Sequence, residues 1–123
     1  MKCYCKSELE FENCCKPYIY TLKNPTTPEQ LMRSRYTAYA LQEADYLIQT
    51  THISQRRHYK KKDVLEWSKT NTWLKLEVVQ AEGAIVEFKA YYIDETLQAQ
   101  VHHEKSTFKQ EKGIWYYVDG KFY

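Results

Sequence analysis

The segments Trp73-Leu74-Lys75-Leu76-Glu77-Val78 and Val86-Glu87-Phe88-Lys89-Ala90-Tyr91-Tyr92, parted by Glu82-Gly83, decide the fold class. Apolar and polar side chains alternate in both with a period of two, the pattern of strands with one buried face. The period continues along the chain, and four strands are expected: Trp73–Ala81, Ala84–Ile93, Leu97–Lys109 and Ile114–Asp119. Glu82-Gly83 and Glu111-Lys112-Gly113 are hairpin signals. One alternating set holds Leu74, Leu76 and Val78, then Val86, Phe88, Ala90 and Tyr92. It continues with His102, Glu104, Ser106 and Phe108, then Trp115 and Tyr117. That set is the expected core face.

Upstream of Trp73 the period is helical. Asn24-Pro25-Thr26-Thr27-Pro28 is a linker that ends in a helix start, with Thr27 as N-cap, Pro28 at the first helical position and Gln30 completing a capping box. This helix runs on to Leu41, with Leu31, Arg35 and Ala38 on one face and Met32, Tyr36 and Tyr39 beside them. Ala44–His52 reads as a second helix capped by Asp45, and Asp63–Asn71 as a third. Helices first and antiparallel strands afterwards predict an α+β domain with its helices on one sheet face.

All four cysteines, Cys3, Cys5, Cys14 and Cys15, precede this body. Four thiolates in so short a segment make a natural tetrahedral cage for zinc, and a zinc held by four thiolates has no open position, which argues for a structural role. Disulfides are the alternative, with three possible connectivities. One of them needs strained Cys14–Cys15 and Cys3–Cys5 bonds. Lys16–Lys23 reads as a short turn or helix docking the segment, so residues 1–23 form a zinc-binding unit and 24–123 the main domain.

Composition excludes little else. With 123 residues, 43 % of them hydrophobic, the chain supports one compact core. Twelve tyrosines imply a core or cleft lined by rings whose hydroxyls need partners. A net charge of +2 points to no particular partner. No apolar run is long enough for a membrane span, and Met1-Lys2-Cys3-Tyr4-Cys5 carries no secretory apolar region. The expected location is the cytoplasm, where clustered cysteines more often hold metal than form disulfides.

Cys3-x-Cys5-x8-Cys14-Cys15, with Ser7 after the second cysteine and Phe11 before the closing pair, resembles the SEC-C zinc motif of the SecA translocase motor and of many small bacterial proteins. The usual form has Pro between the first cysteines and glycines around the Ser. Here Tyr4, Lys6 and Glu8 stand in those places, although Gly is the residue that supplies positive φ freely. Farther on, Leu31-Met32-Arg33-Ser34-Arg35-Tyr36, Ala44-Asp45-Tyr46-Leu47, His103-Glu104-Lys105-Ser106-Thr107-Phe108 and Trp115-Tyr116-Tyr117-Val118-Asp119-Gly120 are similar to the YchJ family, a UPF0225-type group. The resemblance implies a SEC-C segment joined to an NTF2-like (cystatin-like) domain, a curved sheet wrapped around helices as an open-mouthed cone. It implies no activity. In the SecA relative the SEC-C segment docks a chaperone, so a protein or ribosome contact through the zinc segment is the partner the resemblance suggests.

Such a cone is a concave pocket, the default place for a small molecule or peptide. Arg35, His102, Glu104 and Ser106 are its expected polar groups, and Tyr39, Tyr92, Trp115 and Tyr117 its walls. Arg35 offers a fork that would pair a buried Glu104, either as a structural lock between helix and sheet or as part of a ligand site. Glu104 or His102 could serve there as the general base of a hydrolase or isomerase type of enzyme, but no nucleophilic triad is visible. His102 and His103 point to opposite sheet faces and cannot easily share a metal. The run Arg56-Arg57-His58-Tyr59-Lys60-Lys61-Lys62 carries five fixed positive charges, which nucleic acid or ribosome binding would use and a solvated loop would not. The preferred expectation is a non-catalytic binding module.

Overall fold

The computed structural model describes residues 1–123. Four α-helices and two 3-10 turns precede four strands: α1 Lys16–Tyr20, α2 Pro28–Ala40, α3 Ala44–Gln49 and α4 Lys61–Thr70, then β1 Thr72–Glu82, β2 Ile85–Ile93, β3 Ala99–Glu111 and β4 Ile114–Phe122. The strands form an open antiparallel sheet in the order β1-β2-β3-β4. The helices cover one face, as the order of elements predicted.

Thr27 opens α2 from an extended backbone (φ −138°, ψ 154°), and its Oγ1 accepts from Gln30 N at 3.1 Å. The return arm of the capping box differs from expectation. Gln30 Oε1 accepts from Thr26 N at 2.9 Å and from Thr26 Oγ1 at 3.0 Å. Thr26 offers that oxygen two donors where the backbone of Thr27 offers one.

Helix α3 stops at Gln49, short of the expected His52. Thr50 and Thr51 turn their hydroxyls back onto the carbonyls of Tyr46 and Leu47, each at 2.8 Å. The backbone then pairs with β4, where Tyr117 N donates to Thr50 O and His52 N to Tyr117 O, both at 2.8 Å. Asp45 does not cap α3. The N-cap is Glu43, and Asp45 lies inside the first turn, exposed and 3.1 Å from Lys61.

The sheet register explains which face is buried. Lys112 (φ 52°) and Gly113 (φ 80°) form the tight β3–β4 turn, both residues left-handed as a type I′ hairpin requires. Irregularities between Trp73 and Lys75, Val78 and Gln80, and Thr107 and Phe108 interrupt the ladders, and such bulges bend a strand. The first one corrects the expected core face. Leu74 is the extra residue and is 46 % exposed, while Trp73 turns inward to pair with Tyr92. Leu76, Val86, Phe88, Ala90, Phe108 and Tyr117 keep their predicted burial.

Helix α2 is buried on nearly every side: Leu31, Met32, Ser34, Arg35, Tyr36, Thr37 and Ala38 are all buried. Its position between the cysteine segment, α3 and the sheet accounts for this, and the partners of Thr37, Ser34 and Arg35 trace the three contacts. Thr37 Oγ1 is 3.9 Å from Cys3 Sγ, Ser34 Oγ is 2.6 Å from Tyr46 OH, and the Arg35 guanidinium lies 4.4 Å from the centre of the Tyr117 ring. No helix is long and apolar enough to cross a membrane.

Candidate functional site

The cysteine segment folds as a small hairpin. Lys2 pairs antiparallel with Glu10, Cys3 N donates to Leu9 O at 2.8 Å, and Phe11 N donates to Met1 O at 2.9 Å. The turn between them places Lys6 at φ 65° and Glu8 at φ 73°. These are the two places where the SEC-C pattern has glycine, so the backbone keeps the left-handed shape without the residue that favours it. Each such non-Gly residue costs on the order of 1–2 kcal/mol.

The turn gathers the four Sγ atoms within 4.8 Å of one another. Cys5 and Cys14 approach to 3.6 Å and Cys14 and Cys15 to 3.8 Å. A tetrahedron of 2.3 Å metal–sulfur bonds has edges of about 3.8 Å, so the donor set fits one tetrahedral metal ion. All four cysteines are free of disulfides. Burial pushes the Cys14 thiol up to about 11, and hydrogen bonding with Cys3 drives Cys15 higher while the contact with Cys15 takes Cys3 down. Cys14 and Cys15 therefore stay protonated at neutral pH unless a cation replaces their protons.

Three further residues support this site: Ser7, which the motif marks, and Thr37 and Arg33, which the sequence reading missed. Ser7 Oγ is 3.1 Å from Cys14 Sγ, and Thr37 faces Cys3. Arg33 donates from Nη1 to Cys5 O at 2.9 Å and from Nε to Glu29 at 3.0 Å, tying the hairpin to α2 and bringing a positive charge beside the sulfurs.

A second feature lies between the helices and the sheet, a cavity of about 210 Å³ lined by thirteen residues, ten of them hydrophobic. Of the residues expected there, Arg35, Tyr39, His102, Glu104 and Tyr117 line it. Tyr92 stands just behind, its ring 5.6 Å from Trp67 and 5.1 Å from Trp73. Ser106 is fully buried beneath Glu104. Trp115 is at the start of β4, where it lines a different pocket with Tyr18 of α1 and Leu22 and Pro25 of the α1–α2 connection. Trp67, Trp73, Tyr59 and Phe122 join Met32, Tyr36, Phe88 and Ala90 in the rest of the wall. Trp67 belongs to the apolar stripe of α4, a weak signal that could have found it.

The expected Arg35–Glu104 ion pair does not form. Arg35 Nη1 donates to Leu47 O at 2.9 Å, Thr50 Oγ1 at 2.7 Å and Thr51 Oγ1 at 3.3 Å. Glu104 is satisfied elsewhere: Oε1 is 2.7 Å from His102 Nε2, and Oε2 accepts from Ser106 Oγ at 2.6 Å and Tyr117 OH at 2.7 Å. The Tyr117 ring lies against the guanidinium while its hydroxyl bonds the carboxylate, so it mediates between the two charges. Burial works to raise the Glu104 carboxyl, but hydrogen bonds from His102, Ser106 and Tyr117 outweigh it and hold the group below its ordinary value. An ionised carboxylate only accepts, so Nε2 of His102 carries the shared proton.

Gly120 makes this arrangement possible, and the expected strand end at Asp119 hid it. Strand β4 continues to Phe122, with Gly120 opposite Ser106 and Phe122 opposite Glu104. The Glu104 side chain lies across the Gly120 backbone, so a Cβ there would overlap Oε2 and stand 2.6 Å from Cδ and 2.7 Å from Cγ. Its φ is not left-handed. The requirement is space.

His102 and His103 diverge as strand geometry requires, His103 Nε2 meeting Glu87 Oε2 at 2.8 Å. The basic run folds as a 3-10 turn, Ile53–His58, leading into α4. Arg56 donates to Thr51 O at 2.9 Å and Gln49 O at 3.0 Å, Arg57 to Ser54 O, and Lys61 pairs with Asp45.

Residues 27–120 match the YchJ middle NTF2-like domain. A UPF0225 protein of Actinobacillus succinogenes is 38 % identical over 123 residues, covering 95 % of this chain and 79 % of that protein. Another, from Vibrio vulnificus, is 42 % identical over 126 residues, covering 98 % and 74 %. The solution structure of a SEC-C motif containing protein from Rhodopseudomonas palustris matches with a TM-score of 0.90 at 34 % identity over 98 % of both chains. The crystal structure of a SEC-C motif containing protein from Psychrobacter arcticus gives 0.80 at 30 % identity, over 95 % of this chain and 80 % of that one.

Proposed function

The chain belongs to the YchJ family of UPF0225 proteins, and we propose that it is a cytoplasmic, non-catalytic binding module with a structural zinc and a small-ligand cavity. Cys3, Cys5, Cys14 and Cys15 would hold the zinc, and their convergence within 4.8 Å is the observation that carries the reading. Four thiolates fill a tetrahedral zinc, so the metal would supply folding energy and no open position for a substrate. It would fix the hairpin against α1, and exposed Leu9 of the hairpin with Tyr20 and Leu22 at the end of α1 would be the contact surface for a protein or the ribosome. Affinity capture from native cytosol with wild type and with Cys3→Ser/Cys14→Ser tests this. Partners retained by wild type and lost by the variant are the expected result, and identical capture by both would refute it.

A second reading, an enzyme built on the cavity, is favoured by one observation. Glu104 orients the His102 imidazole through a 2.7 Å bond while the ring lines the cavity. Glu104 itself, held ionised by three donors, is an orienting group, and His102 would be the base. Nothing in the cavity supplies a nucleophile. Turnover of a small carbonyl substrate that falls at least a hundredfold in His102→Ala would establish this reading in place of the first.

A further inference from the structure

Arg35 is the residue whose bonding the fold leaves incomplete. It is 4 % exposed, yet all its hydrogen bonds leave from Nη1. Neither Nε–H nor the two N–H groups of Nη2 has a partner within the chain, and no carboxylate pairs with the guanidinium. No side-chain nitrogen or oxygen sealed away from solvent lacks a partner. The free edge of Arg35 therefore opens onto the cavity that the residue lines. Donors that open onto a cavity are met there by water or by a ligand, and a guanidinium edge is met most strongly by a carboxylate.

We propose that the cavity binds a small organic carboxylate with an aromatic or branched apolar body, its carboxylate seated on the Nε–Nη2 edge of Arg35. This deepens the reading of the cavity as a ligand pocket and rests on it. The charge follows from the two ionic groups present. Glu104 already accepts from three donors, so an ammonium would find little of it free and would face Arg35. A carboxylate meets two parallel N–H groups in the planar geometry that a guanidinium edge presents. Arg35 is the one fixed positive charge on the wall and no lysine lines it, which favours a single negative charge over a phosphate.

The body of the ligand follows from the rest of the wall. Tyr39, Tyr59, Trp67, Trp73 and Phe88 offer ring faces and edges on which an aromatic or branched group can pack. A volume of about 210 Å³ is below the usual range of roughly 300–1,000 Å³ for drug-sized ligands. The occupant is small.

The test is titration of the intact, metal-loaded, ¹⁵N-labelled protein with benzoate, benzyl alcohol and benzylamine, following the Nε–H resonance of Arg35. Benzoate is expected to shift that resonance and to bind about tenfold or more tightly than benzyl alcohol, the worth of charge-assisted hydrogen bonds. Benzylamine should bind most weakly. Arg35→Lys, which keeps the charge and loses the fork, should remove most of the benzoate advantage. Ala90→Leu, which fills the cavity from the sheet side, should abolish binding of benzoate and benzyl alcohol alike. Equal binding of alcohol and acid, or tighter binding of the amine, with the Arg35 resonance unmoved, would overturn the carboxylate assignment and leave the pocket standing. If none of the three binds the folded protein at millimolar concentration, the pocket reading itself fails.

Discussion

Replacing Gly120 by Ala adds one methyl group to a strand, where alanine is ordinarily better by about 0.5–1 kcal/mol. Here the sign should reverse. The new Cβ would overlap the Glu104 carboxylate and stand 2.6 Å and 2.7 Å from its Cδ and Cγ, so the side chain has to leave. Glu104 is 4 % exposed and holds three partners at 2.6–2.7 Å. Its departure leaves Ser106, fully buried, and Tyr117, 7 % exposed, without an acceptor. Overpacking costs about 1–3 kcal/mol, and a buried donor left unsatisfied costs about 1–3 kcal/mol more. A net loss of about 2–5 kcal/mol is therefore expected, a large part of the stability of a domain this size. Urea unfolding of wild type, Gly120→Ala, Glu104→Ala and the double variant measures it. In the Glu104→Ala background the obstruction is gone, so Gly120→Ala should cost less than about 1 kcal/mol there. If Gly120→Ala is as stable as wild type, or costs the same in both backgrounds, the argument from the Glu104 contact is wrong.

The Lys6→Gly and Glu8→Gly variants should each stabilise the metal-loaded protein by about 0.5–1 kcal/mol in thermal or urea unfolding, since both residues are left-handed and non-glycine. Arg33→Ala removes the bond to Cys5 O and should weaken metal retention about tenfold in competition with a chromogenic chelator. Glu104 makes stability depend on pH. Its folded value lies below the ordinary carboxyl value, so its contribution is fully present above an unfolded value of about 4.3 and is lost as pH falls through the folded one. Wild type should therefore lose its advantage over Glu104→Gln as pH falls from about 4.3 through the folded value, a difference in which acid loss of metal from both proteins cancels.

The architecture was legible because it rests on periodicity. Alternation from Trp73 onward, the glycine turns and the Thr27-Pro28 start mark elements through backbone chemistry that neighbours do not change. The misreadings share a cause in tertiary contact. Leu74 left the core because a bulge inserted a residue, which no period-two count can foresee. The second helix ended early because Thr50 to His52 found β4, and Asp45 found Lys61 in place of a cap. At the cavity, the types were visible and the pairings were not. Arg35 and Glu104 looked like partners, but Tyr117, Ser106 and His102 reached the carboxylate first. Gly120 carried no turn signal because its role is to leave room. The four cysteines stood out from spacing alone, and the left-handed turn that gathers them proved compatible with Lys6 and Glu8.

The proposed structural zinc at Cys3, Cys5, Cys14 and Cys15 is open to a direct measurement. Elemental analysis of the purified reduced chain, with unfolding followed before and after metal removal, tests it most directly. One zinc per chain, lost in Cys14→Ser, and a marked fall in stability when it is removed are the expected results. A folded chain that carries no zinc with all four thiols reduced, or that loses zinc without losing stability, would contradict it.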